Sequence, residues 1–284
     1  MKVLVTGAKG QLGQDILRLL ESQSGEVFGF GREELDITNE EQVREKILSI
    51  KPDIIIHTAA YTQVDQAESD EATAFKVNAE GTKYLAQAAE VVKAKFCYVS
   101  TDYVFDGTKN EPYKKDDQTN PQTVYGKSKF VGEQYTQEYC SKSYIVRTSW
   151  VFGLYGNNFV KTMLRLAKDK KELGVVHDQV GSPTYTTDLA RFIINLVKTD
   201  KYGIYHGSNS GVCSWYEFAK EIFEQSNIEM VVKPLMTEDF PRPAARPKYS
   251  VLDKGMIEEN GFESFQDWKK SLSDFLTKLE KNER

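Results

Sequence analysis

The chain has 284 residues, of which 40% are hydrophobic and 28% are charged, and its formal net charge is −5. A mildly acidic chain argues against general affinity for nucleic acid, which requires a basic face, and its apolar runs are too short to span a membrane. A chain of this length can bury about three-quarters of its unfolded surface, so we expect two domains, or one domain with a lobe attached.

The cysteines suggest a reducing environment. Cys97, Cys140 and Cys213 are scattered along the chain and have no metal-ligand spacing. A strand pattern begins directly at the N-terminus, which leaves no room for a signal peptide. We therefore expect a cytoplasmic protein, and these spacings assign no metal ligands.

The N-terminal segment combines a strand, a glycine turn and the start of a helix. Lys2–Thr6 is an apolar run rich in β-branched residues, as in buried parallel strands. A Gly-x-x-Gly-x-x-Gly turn follows, with the candidate cofactor-binding residues Gly7, Gly10, Gln11, Leu12 and Gly13. Glycines allow the backbone to approach a pyrophosphate, and a helix N-terminus offers free N–H groups and a partial positive charge. The segment therefore predicts a dinucleotide site.

Strand and helix patterns alternate through the first half of the chain. The predicted strands are Lys2–Thr6, Glu26–Phe30, Ile54–Thr58, Phe96–Ser100 and Tyr144–Thr148. The predicted helices are 15–20, a helix opened by a Thr38–Glu41 capping box, Glu71–Lys93 and Val124–Cys140. This alternation predicts right-handed βαβ units and a Rossmann-type α/β fold with a doubly wound parallel sheet.

The regular alternation weakens after Trp150. The predicted elements there are helix Asn158–Lys168, strand Gly174–His177, helix Thr187–Val197, a helix from a capping box at Ser214 to Gln225, and a last helix from about Ser264 with Asp267 in its cap. We therefore predict a dinucleotide-binding domain over residues 1–150, with later sheet elements around 174–200. A smaller C-terminal substrate-binding lobe is predicted over residues 151–284.

A tyrosine and a lysine are spaced for acid–base chemistry. Ligands of doubly wound sheets bind beyond the carboxyl ends of the strands, where strand order reverses, and we place this crevice between the first and fourth strands. The fourth strand brings two hydroxyls there, those of Ser100 and Thr101. Tyr125 and Lys129 follow at i, i+4, on one helix face about 5–6 Å apart. The lysine charge is expected to lower the tyrosine pKa below its usual value of about 10; the alternative is an exposed helix pair.

Several motifs together match one known family. They are the glycine spacing, Ala59-Ala60, Asn78, Ser100-Thr101 and Tyr125-x-x-x-Lys129. With them the chain resembles the extended short-chain dehydrogenase/reductase family and, through segments 100–107 and 181–190, its dTDP-4-dehydrorhamnose reductase branch. The resemblance implies reduction of the C4 ketone of dTDP-4-dehydro-L-rhamnose by a reduced nicotinamide, giving dTDP-L-rhamnose for cell-surface polysaccharide synthesis.

The resemblance also implies residue roles at the reacting end of the site. Tyr125 would donate the proton, Lys129 would hold the nicotinamide ribose and tune Tyr125, and Thr101 would bind the substrate carbonyl. Asp102 and Trp150 match positions that line the sugar site, although a lone tryptophan is usually a core residue.

Further roles concern the cofactor. The resemblance implies that Asp36 and Ile37 face the adenine, that Ala59, Ala60 and Tyr61 face the middle of the cofactor, and that Asn78 supports the active-site helix. For Asn78, the alternative is an ordinary polar helix residue. Dinucleotide folds that prefer NAD carry an acid at the end of the second strand. Here Gly31 takes that place, Arg32 follows, and Glu33 and Glu34 lie past the strand end, so we expect NADPH, with NADH as the alternative.

Two features have less certain roles. A proline-rich loop carries Arg242, Arg246 and Lys248, which either clamp the substrate diphosphate or solvate the turn. Some members of the resembled family form a homodimer through carboxylate-bound Mg²⁺. Asp15 and Asp188 match positions of that site, but they are shorter than the expected glutamates.

Two other classes of function stay open. One is a nucleotide-sugar epimerase or dehydratase of the same family, which would keep NAD tightly bound. The other is a non-catalytic, NADP-binding regulatory subunit, against which the presence of both Tyr125 and Lys129 argues.

Overall fold

The computed structural model describes residues 1–23 and 25–283. Its strands are β1 Lys2–Thr6, β2 Glu26–Phe30, β3 Ile54–His57, β4 Lys95–Thr101, β5 Ser143–Thr148, β6 Val151–Phe152, β7 Glu172–Val176, β8 Val180–Gly181, β9 Thr184–Tyr185, β10 Gly203–His206, β11 Cys213–Ser214 and β12 Val231–Leu235. Its α-helices are α1 Gln11–Glu21, α2 Glu40–Ile50, α3 Val64–Ala67, α4 Glu71–Phe75, α5 Gly81–Val92, α6 Val124–Tyr139, α7 Phe159–Leu166, α8 Thr186–Val197, α9 Trp215–Gln225, α10 Gly255–Glu259 and α11 Trp268–Glu283.

A six-stranded parallel sheet forms the centre of the fold, in the order β10-β5-β4-β3-β1-β2. Successive side chains of β1 point to opposite faces. Val3 and Val5 pack into one hydrophobic core with α1 and α8, whereas Leu4 packs into a second core with α2 and α5. Helices therefore cover both faces, and the predicted Rossmann-type doubly wound α/β fold is confirmed.

The predicted crevice is misplaced by one strand. Strand order reverses between β1 and β3, which pair directly through Val3–Thr6 and Ile54–His57. The first crossover places β2 on one side of β1, and the next places β3 on the other side. The fourth strand is therefore the second neighbour of β1, and the prediction of a crevice between the first and fourth strands is wrong.

A second core lies in the C-terminal half. Its buried residues come from β6, α7, β7, β9, β11, α9 and α11, and include Phe152, Val160, Val175, Phe218 and Phe275. The predicted strand at 174–177 forms as β7, but it pairs with β12 outside the main sheet. The late strand that joins the main sheet is β10, beyond the predicted 174–200 range, and α8 packs against the sheet core. The domain boundary at residue 150 stays a prediction.

Three predicted helix starts or continuities differ from the structure. Asn39, and not Thr38, caps α2, because the Thr38 hydroxyl is bound to the Asp36 carboxylate at 2.8 Å. The helix predicted over Glu71–Lys93 is interrupted by a π-helical turn at Lys76–Glu80. The last helix begins at Trp268, where the Asp267 side chain accepts the N–H of Lys269.

No helix within residues 1–23 and 25–283 combines the length and the apolar character that a membrane crossing requires.

Candidate active site

A cleft of about 1480 Å³ opens at the carboxyl edge of the main sheet. Sites for one small ligand typically measure about 300–1,000 Å³, so this cleft has room for two ligands. One arm is lined by the glycine turn and by the segments that follow β2 and β3. The other arm is lined by α7, β7 and the segment 237–247. Tyr125, Lys129 and Thr101 line the same cleft, between the two arms.

The glycine turn brings two backbone segments into close contact. Gly7 has a φ of +68°, and a Cβ there would lie 2.5 Å from the Ala59 nitrogen. A Cβ on Gly13 would overlap the Gly7 carbonyl oxygen. Gly10 is the N-cap of α1 and provides no side-chain cap, and the first turn of that helix carries no acidic residue. The free N–H groups and the space left by the absent side chains therefore fit a pyrophosphate.

The end of β2 carries both a cation and an acid. Arg32 is exposed and lines the cleft, as does Lys9. Glu34 lies past the strand in sequence, but its carboxylate folds back and accepts the Gly31 N–H at 2.9 Å. It also pairs with Lys9 at 2.7 Å. Glu34 therefore lies past the strand end in sequence, as expected, while its side chain returns to the strand end because the turn after β2 reverses the chain.

Asp36 and Ile37 both line this arm. Ile37 is buried, and the Asp36 carboxylate accepts bonds from the N–H and the hydroxyl of Thr38. These bonds are the main cause of a lowered Asp36 pKa. The Asp36 carboxylate is already bonded within its own turn. The apolar Ile37 side chain is therefore the surface of this pair against which a flat ring could pack.

Asn78 ties the middle of the cleft to the active-site helix. Its side chain binds the N–H of Tyr61 at 2.8 Å and the carbonyl of Tyr61 at 3.1 Å, and it also bonds to the Ser128 hydroxyl of α6 at 3.0 Å. It lies in the π-helical turn and is buried. The segment that contains Ala59, Ala60 and Tyr61 is thus held at a set distance from α6.

The predicted reactive residues meet at the end of β4. The Lys129 side chain is buried, donates to the Val99 carbonyl at 2.7 Å and lies 4.0 Å from the centre of the Tyr98 ring. Thr101 is buried beside the cleft. Ser100 is different, because its hydroxyl donates to the buried Glu133 at 2.6 Å. The proton of the Ser100 hydroxyl is therefore already used within the chain.

The pKa of Tyr125 differs from its prediction. Burial raises it to about 12, the charge of Asp102 acts in the same direction, and the Thr101 hydroxyl opposes the rise. Burial also lowers the pKa of Lys129 to about 7. Loss of water from both groups outweighs their proximity, so the phenol is fully protonated at neutral pH.

The lining of the cleft includes a tryptophan pair. Trp150 stacks on Trp215 with ring centres 3.6 Å apart and an angle of 10°. Trp150 has a φ of +48°, an unusual conformation for a bulky residue. Both rings line the cleft. Trp215 was not singled out from the sequence, where it is visible only as the first residue after a helix cap.

The two arginines of the proline-rich loop also line the cleft. Arg246 pairs with Asp65 at 2.9 Å, and Arg242 lies 3.9 Å from the same carboxylate while packing over the Phe240 ring. Asp65 also accepts the Ala244 N–H at 3.3 Å. The carboxylate of α3 therefore holds the loop across the cleft, a role that no local pattern around Asp65 indicates.

Asp15 and Asp188, the residues matched to a metal site, are engaged within the chain. Asp15 is fully buried and accepts bonds from Thr186, Thr187 and Arg18. Asp188 accepts bonds from the side chains of Asn209, Gln266 and Ser271. Within the described part of the chain, no three or more His, Cys, Asp or Glu residues cluster as a metal site. The Mg²⁺-linked dimer stays a prediction.

Comparison with known proteins identifies the family. The family model described as "RmlD substrate binding domain" matches residues 1–281. The chain belongs to this family. Its sequence resemblance to the dTDP-4-dehydrorhamnose reductases is also confirmed by individual relatives.

Two relatives and one solved structure illustrate the likeness. The dTDP-4-dehydrorhamnose reductase of Aggregatibacter actinomycetemcomitans is 46% identical, over 95% of this chain and 97% of that protein. The spore coat polysaccharide biosynthesis protein SpsK of Bacillus subtilis is 45% identical, over 97% of this chain and 96% of that protein. The crystal structure of the Bacillus anthracis dTDP-4-dehydrorhamnose reductase in complex with NADP has a TM-score of 0.96 and 47% identity, covering 98% of this chain and 99% of that one.

Gly181→Ala should displace the tryptophan pair. An added Cβ would lie 2.6 Å from Cε2 of Trp150, and overpacking of this kind costs about 1–3 kcal/mol. We expect a lower Tm and a changed near-ultraviolet circular dichroism spectrum, because the ring stacking is disturbed. Gly255→Ala is the control, since its nearest atom is 3.1 Å away. An unchanged spectrum in Gly181→Ala would contradict the prediction.

Proposed function

We propose that this protein reduces the C4 ketone of dTDP-4-dehydro-L-rhamnose with NADPH, giving dTDP-L-rhamnose. The observation that carries the proposal is the position of Tyr125, Lys129 and Thr101 between the two arms of one cleft. One arm has the features of a dinucleotide site, and the other has room for a nucleotide sugar. Homologous reductases of the same length class, one of them solved with NADP, support this assignment.

The proposed chemistry divides between cofactor and protein. The reduced nicotinamide, when bound, supplies a hydride to C4 of the sugar. Tyr125 donates its phenolic proton to the ketone oxygen, which gains negative charge. With a pKa of about 12, Tyr125 holds this proton throughout the neutral range, and Thr101 orients the same oxygen. Lys129, whose pKa burial lowers to about 7, lies one helical turn away and would hold the nicotinamide ribose.

The remaining contacts follow the cleft. The glycine turn at Gly7, Gly10 and Gly13, with Gln11 and Leu12, would hold the pyrophosphate. Arg32 would face the 2′-phosphate, with Asp36 and Ile37 near the adenine and with Ala59, Ala60, Tyr61 and Asn78 at the middle of the cofactor. Asp102 and Trp150 would line the sugar. Arg242 and Arg246 would bind the substrate diphosphate.

Two alternatives concern substrate and class. A 37% identical relative from Streptomyces antibioticus is named a probable dTDP-4,6-dihydroxy-2-methyloxan-3-one 4-ketoreductase, so a related 4-keto sugar is the second candidate substrate. Purified protein carrying bound NAD would instead favour an epimerase or dehydratase, and the absence of turnover with any deoxysugar nucleotide would favour a regulatory subunit. We expect the protein to act in the cytoplasm.

Removal of the phenol tests the mechanism. In an assay of NADPH oxidation with dTDP-4-dehydro-L-rhamnose, Tyr125→Phe should lose about 10²–10⁴-fold in kcat, because general acid catalysis contributes that much. NADPH binding should be unchanged, whereas Lys129→Met should lose both rate and NADPH affinity. Tyr135→Phe, on the same helix outside the cleft, is the control. Turnover of Tyr125→Phe within a few-fold of the unaltered protein would exclude Tyr125 as the acid.

Arg32 should set the preference for NADPH. Its charge-assisted contact with a 2′-phosphate is worth about 1.5–3 kcal/mol, so Arg32→Ala should narrow the ratio of kcat/KM for NADPH over NADH about tenfold or more. The exposed Arg44 of α2 lies outside the cleft lining, and Arg44→Ala is the control. Equal kcat/KM for both cofactors in the unaltered protein would contradict this reasoning.

The loop arginines should act on the sugar nucleotide alone. Loss of one charged contact to a diphosphate costs about 1.5–3 kcal/mol, so Arg242→Ala and Arg246→Ala should each raise the KM of the sugar nucleotide about tenfold and leave NADPH affinity unchanged. Lys248→Ala, in the same loop but outside the cleft lining, serves as the control. If neither arginine variant changes this KM, the loop is solvated surface.

A further inference from the structure

The Thr101 hydroxyl has too few protons for the bonds expected of it. A hydroxyl has one donor and two acceptor positions. The Thr101 oxygen accepts the N–H of Tyr103 at 3.2 Å, and its proton points to Oδ1 of Asp102 at 3.0 Å. While Asp102 is ionised, its carboxylate can only accept hydrogen bonds. The Thr101 proton therefore stays directed at Asp102. Thr101 then presents a lone pair to a ketone oxygen, and the two oxygens repel each other.

Protonation of Asp102 reverses this arrangement. A neutral carboxylic acid can donate to the Thr101 oxygen, whose two lone pairs are then used by Asp102 and by the N–H of Tyr103. The Thr101 proton is released and can point to the ketone oxygen. With Asp102 protonated, both lone pairs of Thr101 are used and its proton is free, so the bond count around Thr101 closes for a substrate ketone.

The surroundings of Asp102 disfavour its ionised form, compared with a carboxylate in water. Its side chain is 3% exposed, and its Oδ2 has no hydrogen-bond partner. The hydroxyl of Ser250, on the facing segment, also makes no well-formed hydrogen bond, but it lies near enough to Asp102 to act on its pKa. Across residues 1–23 and 25–283, no Lys, Arg or His nitrogen forms an ion pair with Asp102 within 4.0 Å. A buried carboxylate without a cation is costly, and such a group commonly takes up a proton.

We propose that Asp102 is a positioning residue that works as a neutral carboxylic acid, donating to Thr101 and thereby turning the Thr101 hydroxyl toward the substrate ketone. This inference rests on the proposed function, because it needs a ketone oxygen beside Tyr125 and Thr101. The role differs from contact with a sugar hydroxyl, for which an ionised carboxylate would be the better acceptor.

The titrating groups around this position are few. Burial raises the pKa of Asp102 to about 6, and the hydroxyls of Ser250 and Thr101 and the backbone N–H groups of Asp102 and Tyr103 oppose the rise. Tyr103 and Tyr125 face Asp102 and have raised pKa values, so both are neutral near pH 7. Arg246 and Asp65 act on Tyr103 from the loop and from α3. On α6, Lys129 has a pKa lowered to about 7 and is followed by Glu133.

The sign of the pH effect follows from these groups. The active form is the protonated one, so activity is present below the Asp102 pKa and is lost as pH rises through it. A bound sugar removes further water from the cleft and raises this pKa, which moves the loss toward neutral pH.

The first test observes the proton without any turnover. Infrared difference spectra between the unaltered protein and Asp102→Asn, at pH 5.5, should contain the carbonyl band of a protonated carboxylic acid, and this band should vanish by pH 8. Asp106→Asn is the matched control, because hydrogen bonds lower the pKa of Asp106 to about 2 and it stays ionised. Absence of the band at pH 5.5 would overturn the proposal.

The second test compares pH profiles of kcat. The amide of Asp102→Asn can donate to Thr101 at every pH, whereas Asp102→Leu cannot donate at all. The fall in kcat between pH 5.5 and pH 8 should be about fivefold or more larger in the unaltered protein than in Asp102→Asn. Lys129 titrates in both proteins, so its effect on kcat cancels when the two falls in kcat are divided. Asp102→Leu should be slower than Asp102→Asn; parallel profiles, or equal rates for these variants, would overturn the proposal.

The two tests distinguish a failure of the proposed function from a failure of the role proposed for Asp102. If the infrared band is present but the unaltered protein reduces no 4-keto nucleotide sugar, the proposed function fails while the neutral state of Asp102 stands. If the protein is an active reductase without the band, the proposed function stands and the role given to Asp102 is wrong.

Discussion

The buried carboxylate of Glu133 holds the active-site helix on the sheet. Arg147 of β5 donates to it twice, at 2.9 and 2.7 Å, and Ser100 of β4 donates a third bond. A buried ion pair is tolerated only when its remaining hydrogen bonds are satisfied, and here three donors from two neighbouring strands meet one carboxylate. Because Glu133, Lys129 and Tyr125 are spaced at i, i+4 along α6, this attachment also sets the face that carries the reactive side chains.

A second attachment links this helix to the arm of the cleft that is lined by the glycine turn. Asn78 joins Ser128 of α6 to the backbone of Tyr61, and it does so from a π-helical turn. Such turns are rare and often occur at functional sites. From this turn, the Asn78 amide bonds to both partners. Hydrogen bonds of the buried Asn78 side chain therefore connect this arm of the cleft to the helix that carries Tyr125.

The opposite wall of the cleft is held by ring stacking and by ion pairs. Trp150 keeps an unusual backbone conformation while it stacks on Trp215, and Asp65 holds the proline-rich loop through Arg246. Ionic and stacking contacts near the surface are weaker than the buried network under α6. We therefore expect the arm lined by α7, β7 and residues 237–247 to adjust more readily than the arm lined by the glycine turn.

Local patterns in the sequence were sufficient for the sheet class, for the glycine turn and for the pairing of Tyr125 with Lys129. Each of these depends on residues close together in the chain: strand alternation, the steric need for Gly7 and Gly13, and the i, i+4 spacing of a helix. Tertiary structure decided the rest, because the partners are distant in sequence. Ser100 turned to Glu133, Asp65 paired with Arg246, and Trp215 stacked on Trp150 across 65 positions of chain. Burial, which no local pattern reports, reversed the expected shift of the Tyr125 pKa and left Asp102 without a cation.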